Sequence, residues 1–342
     1  MPNSHRVAVL GGGSFGTVIA NLVALNGSRV SLWLRNSQRA THINTHAENT
    51  DYLPDYQLHS NLRATCSLDD ALNDCYIVFV AVPSASFREV VREVATKVAK
   101  ATLVVSLTKG IEKGIEAQGF RLMSQILREE MPDNPVAVLS GPNLAREIAE
   151  GHITGSVIAS VSPEINVMIH DLLHTETFLV YSSHDTYGVE LGGALKNVYA
   201  ILAGLGAALE FGENTIGMLL TRSLAEMSQF AVQMGANPMT FLGLAGVGDL
   251  FVTCSSPLSR NYQVGYAVGK GEPLDEVLRG MGQVAEGINT LDLLKREADR
   301  REVHMPLVNG LYGILYERRP VSEVFNDMML TVQAKDVEFV TG

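Results

Sequence analysis

Cysteine is scarce: Cys66, Cys75 and Cys254 are the whole complement in 342 residues. Their number and scatter give neither a disulfide framework nor a CxxC metal site. Small thiols packed in a reducing cytoplasm are the expectation. Positive charge is also short, with Lys+Arg 26 against Asp+Glu 37 and a net charge of −11. That balance argues against nucleic acid or an anionic membrane surface as partner, since both are gripped through basic patches. A small anionic ligand needs only a local cluster and stays open. No apolar leader with a cleavage site precedes the first strand-like run, RVAVL at 6–10, so no targeting segment is expected. The histidine pairs His42–His46 and His170–His174 have i,i+4 spacing but no acidic third ligand nearby. They read as solvated helix faces, and no metal is expected.

Long apolar runs are limited to LGGALKNVYAILAGLGAAL, 191–209, with Lys196 as its one charge. A membrane reading must bury Lys196 and Asn197 in hydrocarbon, where the lysine alone costs about 2.5–3.5 kcal/mol. Four glycines weaken the run further, and no Lys/Arg cluster flanks it. It reads as a helix inside a globular protein, with one charge aimed at something and no membrane insertion.

What is present is an alternation. Apolar runs at 6–10, 29–34, 76–82, 102–107, 135–139, 156–161 and 177–182 are separated by helical patterns near 15–25, 87–99 and 119–130. Continuous apolar strands interleaved with helices predict a parallel sheet covered on both faces. From about Asp185 the pattern turns helical with glycine breaks, roughly 186–209, 214–234, 274–280, 287–300 and 305–317. A chain of this length exceeds one ordinary core. Two domains are therefore expected, 1–187 of α/β type and 188–342 all-helical.

The stretch RVAVLGGGSFGTVIANLVALNG sets Gly11, Gly13 and Gly16 as GxGxxG between a strand and a helix. The glycines serve a tight turn, close approach of backbone to a pyrophosphate, and close helix–strand packing. The helix start adds N–H groups and partial positive charge for phosphate. In dinucleotide folds an acid near the end of the next strand bonds the ribose 2′-OH. Here that strand ends SLWLRNSQR, with Arg35 in the acid's place and Asn36, Ser37 and Arg39 after it. A guanidinium pairs a 2′-phosphate, so NADPH is favoured and NADH remains possible.

Hydride transfer to a carbonyl needs a general acid. YAVGK at 266–270 matches a YxxxK pair, but Gly265, Gly269 and Gly271 argue against the stable helix such a pair needs. Lys196 is the stronger candidate. A second nearly chargeless stretch, 243–269, carries only Asp249 and Arg260. Isolated polar groups in apolar surroundings are how convergent site residues look in a sequence.

The series GGGSFGT, VAVPS (80–84), SLTKGIE (106–112), SGPNLARE (140–147), ELGGALKNVYAI (190–201), GVGDLFVTC (246–254), SRNYQVG (259–265) and VAEG (284–287) resembles bacterial NAD(P)-dependent glycerol-3-phosphate dehydrogenase across essentially the whole chain. The resemblance implies a Rossmann-type doubly wound sheet followed by a helical domain like that of 6-phosphogluconate dehydrogenase. It implies interconversion of dihydroxyacetone phosphate and sn-glycerol 3-phosphate with NAD(P)H, serving phospholipid synthesis in the cytoplasm, with a homodimer as the family expectation. By resemblance, Lys196 is the acid/base; Lys109, Asn197, Asp249 and Thr253 surround the reacting carbonyl, and Arg260 and Asn261 hold the substrate phosphate. Gly141, Asn143 and Ser259 would touch substrate; Ser14, Phe15, Arg35, Lys109, Ala145, Arg260, Val284 and Glu286 would touch cofactor. The family more often has GAGSWG at the first turn and serine where Asn143 stands. The rival readings are a 3-hydroxyacid or ketopantoate-type reductase, which binds carboxylate instead of phosphate, and a catalytically silent NADP(H)-sensing module.

Overall fold

The computed structural model describes residues 6–114, 119–281 and 285–330. Two compact units divide the chain, one comprising residues up to Glu112 together with Arg121–Glu190, the other Lys113–Phe120 together with the chain from Leu191.

The first unit is built on an eight-stranded sheet. Its elements run β1 (Arg6–Leu10), α1 (Ser14–Leu25), β2 (Arg29–Trp33), α2 (Ser37–His46), a small hairpin of β3 (Glu48–Asn49) and β4 (Leu53–Gln57), β5 (Leu62–Thr65), α3 (Leu68–Leu72), β6 (Ile77–Val80), α4 (Ser84–Ala95) and β7 (Leu103–Ser106). After a short hairpin of β8 (Ile111–Lys113) and β9 (Phe120–Leu122) come α5 (Met123–Glu130), β10 (Val136–Ser140), α6 (Ala145–Ala149), β11 (Thr154–Ala159), α7 (Pro163–Leu173) and β12 (Phe178–Ser183). The sheet order is β12-β11-β10-β7-β6-β1-β2-β5. β1 therefore lies where the strand order reverses, with β2 on one side and β6 on the other. Ligands of doubly wound sheets bind beyond the carboxyl ends of the strands at such a switch point.

One pairing departs from a uniform parallel sheet. β11 runs antiparallel to β10, Leu139 opposite Ile158, and β12 follows β11 in parallel. The link from β10 to β11 carries only the short α6 and turns back at Gly141, whose φ is +133°. It thus delivers β11 beside the end of β10 from which it left. The polar section 35–75 also holds α2, the β3–β4 hairpin and β5, none of which shows a strong apolar period. α2 buries only Ala40 and Ile43, and β5 is an edge strand with Leu62 and Ala64 inward.

The second unit is helical: α8 (Thr186–Ala208, entered from the first unit), α9 (Glu213–Gln233), α10 (Asp249–Ser255), α11 (Arg260–Gly269), α12 (Leu274–Gly280), α13 (Glu286–Arg300), α14 (Pro306–Leu315) and α15 (Val321–Leu330). α8 has the length and composition to cross a membrane, yet nearly all of its apolar stretch is buried within the protein. Gly204 of α8 and Gly265 of α11 are contact points between the two helices. A β-carbon at Gly204 would run into the Tyr262 carbonyl oxygen, and one at Gly265 into that of Ile201. This corrects the reading of 265–271 as too glycine-rich for a helix: α11 persists through Gly269 because α8 packs directly on its backbone. Of the three cysteines only Cys254 is buried, Cys66 being exposed and Cys75 intermediate.

Two buried glutamates cap helices from other elements. In the second unit, Glu226 of α9 accepts the amides of Leu307 (2.9 Å) and Val308 (3.0 Å) at the start of α14. In the first unit, Glu190 accepts the Ser124 amide at the start of α5, 2.8 Å. Helix starts carry unpaired N–H groups and favour negative charge. Burial nevertheless pushes both carboxyls up, each to about 7. The native chain then holds protons that the unfolded chain releases near 4.5. Their stabilising contribution is full below that value and is lost as pH rises to about 7. The melting temperature of Glu226→Gln should accordingly fall less between roughly pH 5 and 7 than that of the parent; equal slopes in calorimetry would refute the assignment.

Candidate active site

At the end of β1 the chain enters the glycine turn. Gly11 has φ of +123°, and a β-carbon there would lie 2.5 Å from the Ala81 carbonyl oxygen. A β-carbon at Gly16 would overlap the Gly11 carbonyl oxygen, so the first turn of α1 sits against the turn itself. Gly13 differs: its β-carbon would meet nothing within 4 Å. Gly13 is also the N-cap of α1, where no side chain caps the helix and no acidic residue occupies the first turn. Open space before uncapped amides suits a phosphate group.

The other expected residues of this unit divide between the ends of the central strands. Phe15 and Ala145 pack against the same apolar cluster. The Ser14 hydroxyl donates to the Tyr52 carbonyl, 3.1 Å. Arg35 follows β2 and is exposed. Its neighbours are taken up locally: Asn36 caps α2 by accepting the Arg39 amide, while the Arg39 guanidinium pairs with Asp51 at 2.7 Å and lies over the Tyr52 ring. Lys109, beyond β7, donates to the Gly141 carbonyl at 2.6 Å. Asn143 donates to the Ser156 hydroxyl, 3.3 Å, and its buried Oδ1 has no partner among the described residues.

In the second unit the polar residues of the two nearly chargeless stretches converge. Lys196 and Asp249 form an ion pair with side chains only 7% and 1% exposed. Lys196 Nζ also donates to Thr253 Oγ1, 2.6 Å, and that hydroxyl donates to the Asp249 carbonyl, 2.6 Å. With its proton committed, the Thr253 oxygen is left to accept from the ammonium. A π-helical turn at Leu244–Gly248 leads into α10, which begins at Asp249. A β-carbon at Gly192 would be 2.6 Å from the Ala245 carbonyl oxygen, so α8 meets this turn closely. Cys254, buried beside the pair, has its thiol pushed up to about 12 by burial, the Lys196 charge opposing.

Asn197 accepts from the Asn261 amide at 2.9 Å, and Asn261 Oδ1 accepts from the Gly287 amide at 2.9 Å. α8, α11 and the start of α13 are thereby tied together one residue from Lys196. Ser259 caps α11 by accepting the Tyr262 amide. Arg260 is the first residue of α11 and exposed, and Glu286 opens α13. Val284 lies outside the described residues. Gly287 was not singled out from the sequence, although a β-carbon there would lie 2.6 Å from the Asn197 carbonyl oxygen; its place at the end of VAEG is the signal. His42 stacks on His46 and His170 on His174, and among the described residues no three His, Cys, Asp or Glu could hold a metal ion.

A glycine turn at the switch point of a largely parallel sheet, joined to a helical unit with a buried lysine–aspartate pair, defines a dinucleotide-dependent oxidoreductase of Rossmann type. Residues 6–166 match the N-terminal part of the family described as NAD-dependent glycerol-3-phosphate dehydrogenase, and residues 185–326 match its C-terminal part. The chain belongs to that family. It is 52% identical over 340 residues to glycerol-3-phosphate dehydrogenase [NAD(P)+] of Pseudomonas aeruginosa (strain LESB58), covering 99% of this chain and 98% of the relative. It is also 52% identical to the enzyme of the same name from Teredinibacter turnerae, covering 100% and 99%. The crystal structure of glycerol-3-phosphate dehydrogenase from Coxiella burnetii superposes with a TM-score of 0.90 at 34% identity, covering 95% of this chain and 98% of that one.

Because Lys196 and Asp249 are both withdrawn from water, removing one partner strands the other. Asp249→Leu should cost about 3–5 kcal/mol of unfolding free energy in urea, and the double variant with Lys196→Met distinctly less. A double variant as unstable as the single would contradict the ion-pair account.

Proposed function

We propose that this chain interconverts dihydroxyacetone phosphate and sn-glycerol 3-phosphate in the cytoplasm, as a homodimer, supplying glycerophospholipid synthesis. NADPH is the preferred cofactor and NADH is accepted. Residues 1–187 form the NAD(P)-binding domain and 188–342 the helical substrate and catalytic domain, with each lending residues to both ligands. The observation that carries this reading is the buried set Lys196, Asp249 and Thr253, supported by family membership over nearly the full chain.

The open, uncapped start of α1 fits a diphosphate, with Gly11, Gly13, Ser14, Phe15 and Gly16 forming the turn. Arg35 reads the 2′-phosphate, and Lys109, Ala145, Arg260, Val284 and Glu286 complete the cofactor contacts. A bound nicotinamide supplies or receives the hydride. Lys196 does the proton work: its ammonium stabilises negative charge growing on the carbonyl oxygen and then protonates it. In the oxidative direction the neutral amine takes the alcohol proton. Asp249 pairs with the ammonium and Thr253 fixes its direction. Lys109, Gly141, Asn143, Asn197 and Ser259 line the three-carbon substrate. Arg260, opening α11, meets its phosphate as a planar fork backed by the helix amides, with Asn261 beside it. Binding energy from the phosphate, remote from the reacting carbon, serves to orient the carbonyl.

Following absorbance at 340 nm tests the substrate and cofactor together. Dihydroxyacetone phosphate should support rapid oxidation of NADPH, and a panel of 2-keto acids should not; turnover of keto acids alone would point to a ketopantoate-type reductase. In the same assay, Arg35→Asp should shift the NADPH:NADH ratio of kcat/KM toward NADH by roughly 10–100-fold, the worth of a charged hydrogen bond. An unchanged ratio would remove Arg35 from that role.

A further inference from the structure

The glycine turn has a structural problem of its own. Gly12 and Gly13 carry no side chains, so the peptide between them can rotate at little steric cost. One orientation turns the Gly13 N–H toward the open space before α1. The reverse turns the Gly12 carbonyl oxygen there, where it would repel an anion.

A residue outside the motif fixes this choice. Asn49, fully buried, lies in the β3–β4 hairpin, where the pairing register shifts between Glu48 and Asn49. Its side-chain amide reaches the glycine turn. Its Nδ2 donates to the Gly12 carbonyl at 3.0 Å and to Thr17 Oγ1 at 2.8 Å. The Gly12 oxygen can only accept, so the NH2 end must face it. Asn49 Oδ1, in contrast, is buried with no partner among the described residues. The chain thus tolerates an unpaired buried acceptor, ordinarily a destabilising feature, to keep a two-pronged donor at this spot.

We propose that Asn49 is a positioning residue for the cofactor diphosphate. By holding the Gly12 carbonyl, it fixes the planar Gly12–Gly13 peptide with the Gly13 N–H facing the opposite way, toward the phosphate. The second prong on Thr17 locks the turn to α1. This inference rests on the reading of the turn as a dinucleotide site.

Three variants of the full chain test it against two ligands. Asn49→Ala removes both prongs, and Asn49→Asp keeps the shape but, ionised, cannot donate. Asn21→Ala cuts a different tie between α1 and the same region, since Asn21 donates to the Gln57 carbonyl and accepts the His59 amide. The ligands are NADPH and adenosine 2′-monophosphate, which lacks the diphosphate. Calorimetric titration should show NADPH about tenfold weaker with both Asn49 variants, KM for NADPH raised and kcat little changed. Adenosine 2′-monophosphate should bind them as it binds the parent, and Asn21→Ala should lower the melting temperature while sparing NADPH affinity. Undiminished NADPH binding by the Asn49 variants, or equal loss of both ligands, would overturn the proposal. Failure of the parent chain to bind NADPH would instead overturn the dinucleotide reading itself.

Discussion

An ammonium and a carboxylate buried side by side constrain the helical unit more than any other contact. Each ion would cost several kcal/mol if taken from water alone, so their mutual attraction and the Thr253 hydroxyl must both be in place. That requirement fixes the distance from α8 to α10. The remaining architecture follows: Gly192 lets the π-helical turn before Asp249 come close, and Gly204 and Gly265 let α8 and α11 pack backbone to backbone. A composition that resembles a membrane span is the consequence of a helix surrounded by others at short range, with one charge whose partner comes from elsewhere in the chain.

The α/β unit answers to a different constraint, the exposure of amides. Gly11 and Gly16 are glycines because protein backbone occupies the space a β-carbon would need, while Gly13 faces open space. An anion-binding turn built this way trades side-chain control for access. The β3–β4 hairpin restores some control through Asn49 on Gly12 and through the Tyr52 carbonyl on Ser14. Buried Glu190 and Glu226 accept amides at the starts of α5 and α14, whereas the start of α1 carries no side-chain cap.

Much of this was legible in the sequence because it rests on strong local signals. The strands β1, β6, β7 and β10 each carry an uninterrupted apolar run, and the isolation of Lys196, Asp249 and Arg260 marked two stretches that the fold brings together around the first two. Harder to read were features decided by distant contacts. The antiparallel β11 has the same apolar pattern a parallel strand would have, and only the short link after Gly141 reverses it. α11 looked too rich in glycine to be helical because its packing partner, α8, lies some sixty positions away. Asn49 sits in a polar stretch without periodicity, and nothing local announces that its amide reaches Gly12. Glu226 appears as one more charge on an amphipathic helix until α14 is seen to start against it.

On the proposed reading, the buried Lys196 ammonium delivers the proton to the reduced oxygen. Single-turnover reduction of dihydroxyacetone phosphate by Lys196→Ala, with and without added methylammonium, tests it most directly. The expected result is a loss of about 10²–10⁴-fold in rate, unchanged NADPH affinity, and partial recovery that saturates with methylammonium and varies with the pKa of the amine supplied. Near-parental rates without any amine would contradict it.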